Sequence, residues 1–123
     1  MKYFIDSSFF ISLLKEDDSN HHKASKTLNE LDSQTVTLFT SYNVIDETAT
    51  VLSLRVSKKI AIDFLNKLNQ TDFPTICELE HSDRTKVYNL FIKTRSKNIS
   101  IIDCASAVLM QKYRIKKGAS LEQ

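Results

Sequence analysis

Met1-Lys2-Tyr3-Phe4-Ile5-Asp6-Ser7-Ser8-Phe9-Phe10-Ile11, residues 1–11, decides the fold. The run Tyr3-Phe4-Ile5 is continuous and apolar, as in a short strand buried on both faces. A single carboxylate, Asp6, ends it. Ser7 and Ser8 follow at once, and either suits the cap of a helix that runs to about Leu14. A strand that ends in an acid and turns directly into a helix puts that acid at the carboxyl edge of a sheet. Open α/β folds bind their ligands at that edge.

Outward from this corner, strands and helices alternate. A second helix is expected from about His21 to Leu31, with Ala24, Leu28 and Leu31 as its apolar stripe. Thr35 to Thr40 is β-branched and reads as a strand. Ser41 caps a helix to about Leu54, and Lys58 to Asn69 forms another. Phe73-Pro74 marks a boundary, because the residue before proline avoids helical backbone. Thr75 to Leu79 is a third strand. Helices from Ser82 to about Arg95 and from Ile101 to about Tyr113 complete the series. The expectation is an α/β three-layer fold with a short, mainly parallel central sheet flanked by helices. Residues 1–115 read as one domain. The tail 116–123 reads either as the start of a last strand or as vector residues.

Composition narrows the function. The single glycine, Gly118, excludes a Walker loop and a Gly-rich dinucleotide turn, so no nucleotide cofactor bound in those ways is expected. Cys77 and Cys104 show no metal-ligand spacing and read as buried free thiols. No apolar run approaches the roughly 20 residues of a membrane helix, and no signal peptide is visible. A cytoplasmic protein with no membrane partner is expected. Net charge is +2, from 17 Lys+Arg against 15 Asp+Glu. The surplus crowds the later helices, where Arg55, Lys58, Lys59, Lys86, Lys93, Arg95, Lys97, Lys112, Arg114, Lys116 and Lys117 form either a rim for a phosphate backbone or simply solvated faces.

Two further acids stand in settings like that of Asp6. Glu47 has Val44, Val51 and Leu54 at helical spacing, so it lies on or beside an apolar stripe, whereas Asp46 is turned by about 100° toward polar neighbours. A carboxylate on such a face needs a partner or a metal. Asp103 opens the last helix, where an acid also offsets the helix dipole. Asp6 would serve equally as a helix cap. Three carboxylates gathered at one sheet edge repel unless a cation neutralises them. Oxygen donors without His or Cys select Mg²⁺ or Mn²⁺ over zinc. Ser8 stands where a haloacid-dehalogenase phosphatase needs its second Asp. His21, His22 and His81 sit in no motif that would activate a Ser or Cys nucleophile.

The segments MKYFIDSSFFISLL, SYNVIDETATVL and ISIIDCASAVLMQKYRI together resemble the PIN-domain ribonucleases, the family that includes the VapC toxins of toxin–antitoxin pairs. The matching features are Ile5-Asp6-Ser7-Ser8, then Val44-Ile45-Asp46-Glu47, then Asp103-Cys104-Ala105-Ser106-Ala107. The resemblance implies metal-dependent hydrolysis of RNA phosphodiester bonds. Asp6, Glu47 and Asp103 would hold one or two Mg²⁺ or Mn²⁺ ions, and Ser7 or Ser8 would fix the first carboxylate or donate to a phosphate. It further implies a homodimer and an antitoxin protein as partner. The other roles are a PIN ribonuclease of RNA processing and a degenerate PIN module that binds without cutting. Family members continue into a last strand with a further Asp or Asn; here Glu122 falls at about that distance.

Overall fold

A computed structural model describes residues 1–32, 35–71 and 74–118. The elements run in the order β1 (Lys2–Phe4), α1 (Ser7–Leu14), α2 (His21–Asp32), β2 (Thr37–Ser41), α3 (Tyr42–Arg55), α4 (Lys58–Gln70), β3 (Thr75–Cys77), α5 (His81–Lys93), α6 (Ile101–Lys112) and β4 (Lys117–Gly118). The four strands form one sheet in the order β3-β2-β1-β4. All three pairings are parallel: Phe4 lies beside Phe39 and beside Gly118, and Thr40 beside Ile76.

Consecutive residues show why the sheet is the middle layer. Side chains alternate faces along a strand. Leu38, Phe39, Thr40 and Ser41 are nevertheless all buried, as are Phe4 and Ile5. Both faces of the sheet are therefore covered, as the unbroken apolar run at residues 3–5 predicts. The main core joins Phe4, Phe9, Phe10, Ile45, Leu52 and Phe64. Phe9 is fully buried, which contributes about 2–3 kcal/mol. The rings of Phe10 and Phe64 meet edge to face at 5.2 Å. A second, smaller cluster forms around Val87, Cys104, Ala105 and Val108, where α5 packs on α6.

Element boundaries differ from the sequence expectation in informative ways. The strands are shorter than their apolar runs, because Ile5 has left the regular ladder although its N–H still donates to the Phe39 carbonyl at 2.8 Å. The buried Thr40 hydroxyl donates to the Ile5 carbonyl at 2.8 Å. These two bonds hold the backbone immediately before Asp6. The cap of α1 is Asp6 rather than Ser7 or Ser8: the Phe9 amide donates to its Oδ1 at 3.0 Å. In α5 the cap is Glu80, not Ser82. Ser41 caps α3 as expected, accepting from the Val44 amide. Both cysteines are buried and free. Among the described residues no helix is long and apolar enough to cross a membrane.

Candidate active site

Asp6 owes its position to β1. The strand delivers it to the carboxyl edge, and the first turn of α1 fixes it there. Its Oδ1 accepts from the Phe9 amide at 3.0 Å and from the Ser8 hydroxyl at 2.9 Å. Both bonds fall on one oxygen, so the carboxylate is oriented without being wholly consumed. The residue is exposed.

Glu47 reaches the same corner from α3. Its helix buries Val44, Ile45, Thr48 and Leu52, and Glu47 itself is half-buried at the border of that stripe. Leu54 does not belong to the stripe: it is 79% exposed. The stripe is thus narrower than the spacing of apolar residues suggests, and Glu47 sits at its rim. Asp46 is exposed, as its polar neighbours imply. The Ser7 hydroxyl donates to Glu47 Oε2 at 2.5 Å. A short hydroxyl-to-carboxylate bond of this kind is charge-assisted. It ties α1 to α3 one residue from Asp6, so a single dipeptide, Ser7-Ser8, orients both acids.

Asp103 stands at the third position of α6 and is exposed. Its amide donates to the Ser100 hydroxyl, and its Oδ2 accepts from the Ser100 amide, both at 3.0 Å. This is a capping box, the helix-opening role open to any acid there. The box fixes one oxygen of the carboxylate, in the same manner as the bonds to Asp6 and Glu47. Glu122 lies outside the described residues.

Every carboxylate here meets only neutral donors, a hydroxyl or an amide. Oriented oxygens of this sort suit a hard divalent cation. The grouping is less complete than the chemistry. Asp6 and Glu47 are joined through Ser7-Ser8, but among the described residues no three of His, Cys, Asp or Glu stand close enough to share one ion. His21 plays a structural part, its Nδ1 against the Ser12 carbonyl at 2.8 Å.

Sequence reading missed a second ionic corner. Asp83 is only 5% exposed. Its Oδ2 accepts from Lys112 Nζ at 2.7 Å and from the Glu80 amide at 2.8 Å. The Lys112 bond holds the Asp83 carboxyl below the usual carboxylate range, and the same bond raises the Lys112 ammonium. The spacing Glu80-x-x-Asp83 was the available signal, since it is that of a capping box. Lys112 has no such signal, because α6 meets α5 only in the folded chain.

Comparison with known proteins follows the same lines. The family model described as PIN domain matches residues 3–117. No curated protein sequence matches the chain. Among solved structures, the fold is similar to Mycobacterium tuberculosis VapC20, described as a sarcin-ricin loop cleaving toxin. The TM-score is 0.84 at 20% sequence identity, over 96% of this chain and 88% of that one.

Proposed function

The chain belongs to the PIN domain family, and from that premise we propose that it is a metal-dependent endoribonuclease, the toxin of a toxin–antitoxin pair. The observation that carries the proposal is the Asp6–Ser7–Ser8–Glu47 corner. Two acids from distant parts of the sequence are oriented by neighbouring hydroxyls at the carboxyl edge of the sheet, and neither meets a protein cation among the described residues. The likeness of the fold to a toxin that cuts RNA supports the substrate class.

In this reading Asp6 and Glu47 would form the heart of the ion site, with Asp103 acting through water or on a second ion, since among the described residues no three acids stand close enough to share one. When bound there, Mg²⁺ or Mn²⁺ would lower the pKa of water and offset the negative charge that phosphodiester hydrolysis develops. The protein's own residues do the positioning. The α1 cap holds Asp6 still, Ser7 holds Glu47, and the Ser100 capping box holds Asp103. Exposed lysines and arginines on the later helices attract the backbone without reading sequence. A homodimer and an antitoxin partner belong to the same proposal. Size-exclusion chromatography tests the first, and co-purification with the product of a neighbouring small gene tests the second.

The ungrouped third acid favours a second reading, a PIN module that binds RNA and cuts nothing. One experiment separates them: cleavage of a mixed RNA pool with Mn²⁺ or EDTA, by this chain and by Asp6→Asn. Cutting that needs Mn²⁺ and disappears in the variant supports the nuclease. RNA binding without cutting, together with no heat of Mn²⁺ binding in calorimetry, establishes the inert module.

A further inference from the structure

One cleft of about 340 Å³ opens beside the acidic corner, where the carboxyl ends of β2 and β3 meet the first turns of α3 and α5. Volumes of this size are typical of small-ligand sites. The cleft is lined by Tyr42, Asn43, Glu78 and Arg84, with the buried Cys77 and Leu109 as apolar lining. None of these residues takes part in the Asp6–Ser7–Glu47 network. Tyr42 is 56% exposed although it is a large aromatic residue. Arg84 is exposed and forms no ion pair among the described residues.

Helix geometry connects the cleft to the acids. Asn43 precedes Glu47 by four residues, so the two share a face of α3, about 6 Å apart along the axis. Anything seated in the cleft lies roughly one helical turn from the acidic corner. The lining offers a complete set for one nucleotide of a single strand. It holds an aromatic face for stacking, a guanidinium for a phosphate, an amide with both donor and acceptor, and a carboxylate that can only accept. The apolar lining stays neutral, since burial pushes the Cys77 thiol up to about 11.

We infer that this cleft is the subsite for the nucleotide flanking the scissile phosphate in single-stranded RNA. The base stacks on Tyr42, Arg84 holds its phosphate, and Glu78 favours a base bearing an exocyclic amine over uracil. The inference rests on the ribonuclease reading above, and the test keeps the two separable. RNA affinity is measured by fluorescence anisotropy in an Asp6→Asn background, with a short unstructured labelled RNA pool, so that binding does not depend on cutting. Tyr42→Ala weakens binding about tenfold. Arg84→Gln weakens it and flattens its salt dependence. Both side chains are exposed, and unchanged circular dichroism confirms the fold. In the otherwise unaltered chain, sequenced cut ends show uracil depleted at one position beside the cut. Tyr42→Ala raises KM and erases that bias while kcat holds, and Asn66→Ala, exposed on α4 and outside the cleft lining, changes neither. Wild-type affinity in Tyr42→Ala, or cutting indifferent to the flanking base, overturns the subsite. If the unaltered chain cuts no RNA, the ribonuclease reading fails and the binding arm alone decides. Loss of affinity in both variants then sustains a nucleotide site, and its retention removes one.

Discussion

Two corners of the molecule hold acids at helix starts, and they treat charge in opposite ways. At the α5–α6 junction Asp83 is buried, and the chain supplies its own cation, Lys112, at 2.7 Å. At the β1–α1–α3 junction Asp6 and Glu47 receive only hydroxyls and an amide. The first corner is closed: a lysine of the same chain balances the buried Asp83 carboxylate. The second has geometry fixed and charge left over. An acid whose counterion comes from the same chain holds helices together. An acid oriented by neutral donors at the carboxyl edge is built to meet a cation from outside.

The contrast is broken most forcefully at Asp6. Asp6→Asn keeps an oxygen to cap α1, since Asn and Asp cap equally well, yet removes the charge. RNA cleavage is expected to fall by more than about a hundredfold, with circular dichroism and melting temperature near those of the parent. Comparable cleavage by the variant would remove Asp6 from the chemistry. Ser7→Ala comes next. It frees Glu47 without touching its charge, and the expected loss is about tenfold in kcat, with Ser7→Thr restoring much of it. Equal kcat in Ser7→Ala would show that Glu47 needs no such anchor.

The closed corner answers differently. Lys112→Met strands Asp83, so melting at neutral pH drops by several degrees while cleavage stays within about twofold, the scale of change expected for a site outside the chemistry. The sign of the pH dependence follows from the lowered Asp83 carboxyl. The ion pair stabilises the fold above the ordinary carboxylate pKa of about 4 and stops doing so as pH falls through the lowered folded value. Melting curves of parent and variant therefore converge in acid. A gap that stays constant with pH would mean that Lys112 acts through its aliphatic stem alone. The smallest effect concerns Cys77. Its thiol is pushed up to about 11 by burial, so iodoacetamide leaves it unmodified at mildly basic pH until the chain unfolds. Because the folded value is raised, its contribution to stability is present below the ordinary thiol range and is lost as pH climbs through about 11. Rapid alkylation of the folded chain would show the β3 end to be open.

Much of this was legible in residues 1–11. The unbroken apolar run gave a strand buried on both faces, and Asp6 gave its end. Glu47 was legible from its place among Val44 and Val51, although Leu54 misled, because helix spacing cannot tell a core position from one past the edge of a packed partner. The Ser7–Glu47 bond was not legible. It joins residues 40 apart, and no local pattern marks it. The pairing of Asp83 with Lys112, 29 residues apart, was hidden for the same reason, although the capping-box spacing Glu80-x-x-Asp83 was there to be read. The cleft beneath Tyr42 depends on five elements meeting, β2, β3, α3, α5 and α6, and has no linear signature at all.

The sheet order has a consequence for synthesis. Strand β1 lies between β2 and β4, and Phe4 pairs with both Phe39 and Gly118. Strand β1 therefore keeps one edge bare until β4 has emerged from the ribosome. An open edge invites pairing with other chains, and contacts this far apart in sequence form slowly. Until β4 pairs, the strand that leads into Asp6 is flanked on one side only, so the corner it builds is set firmly in place only when that late pairing forms.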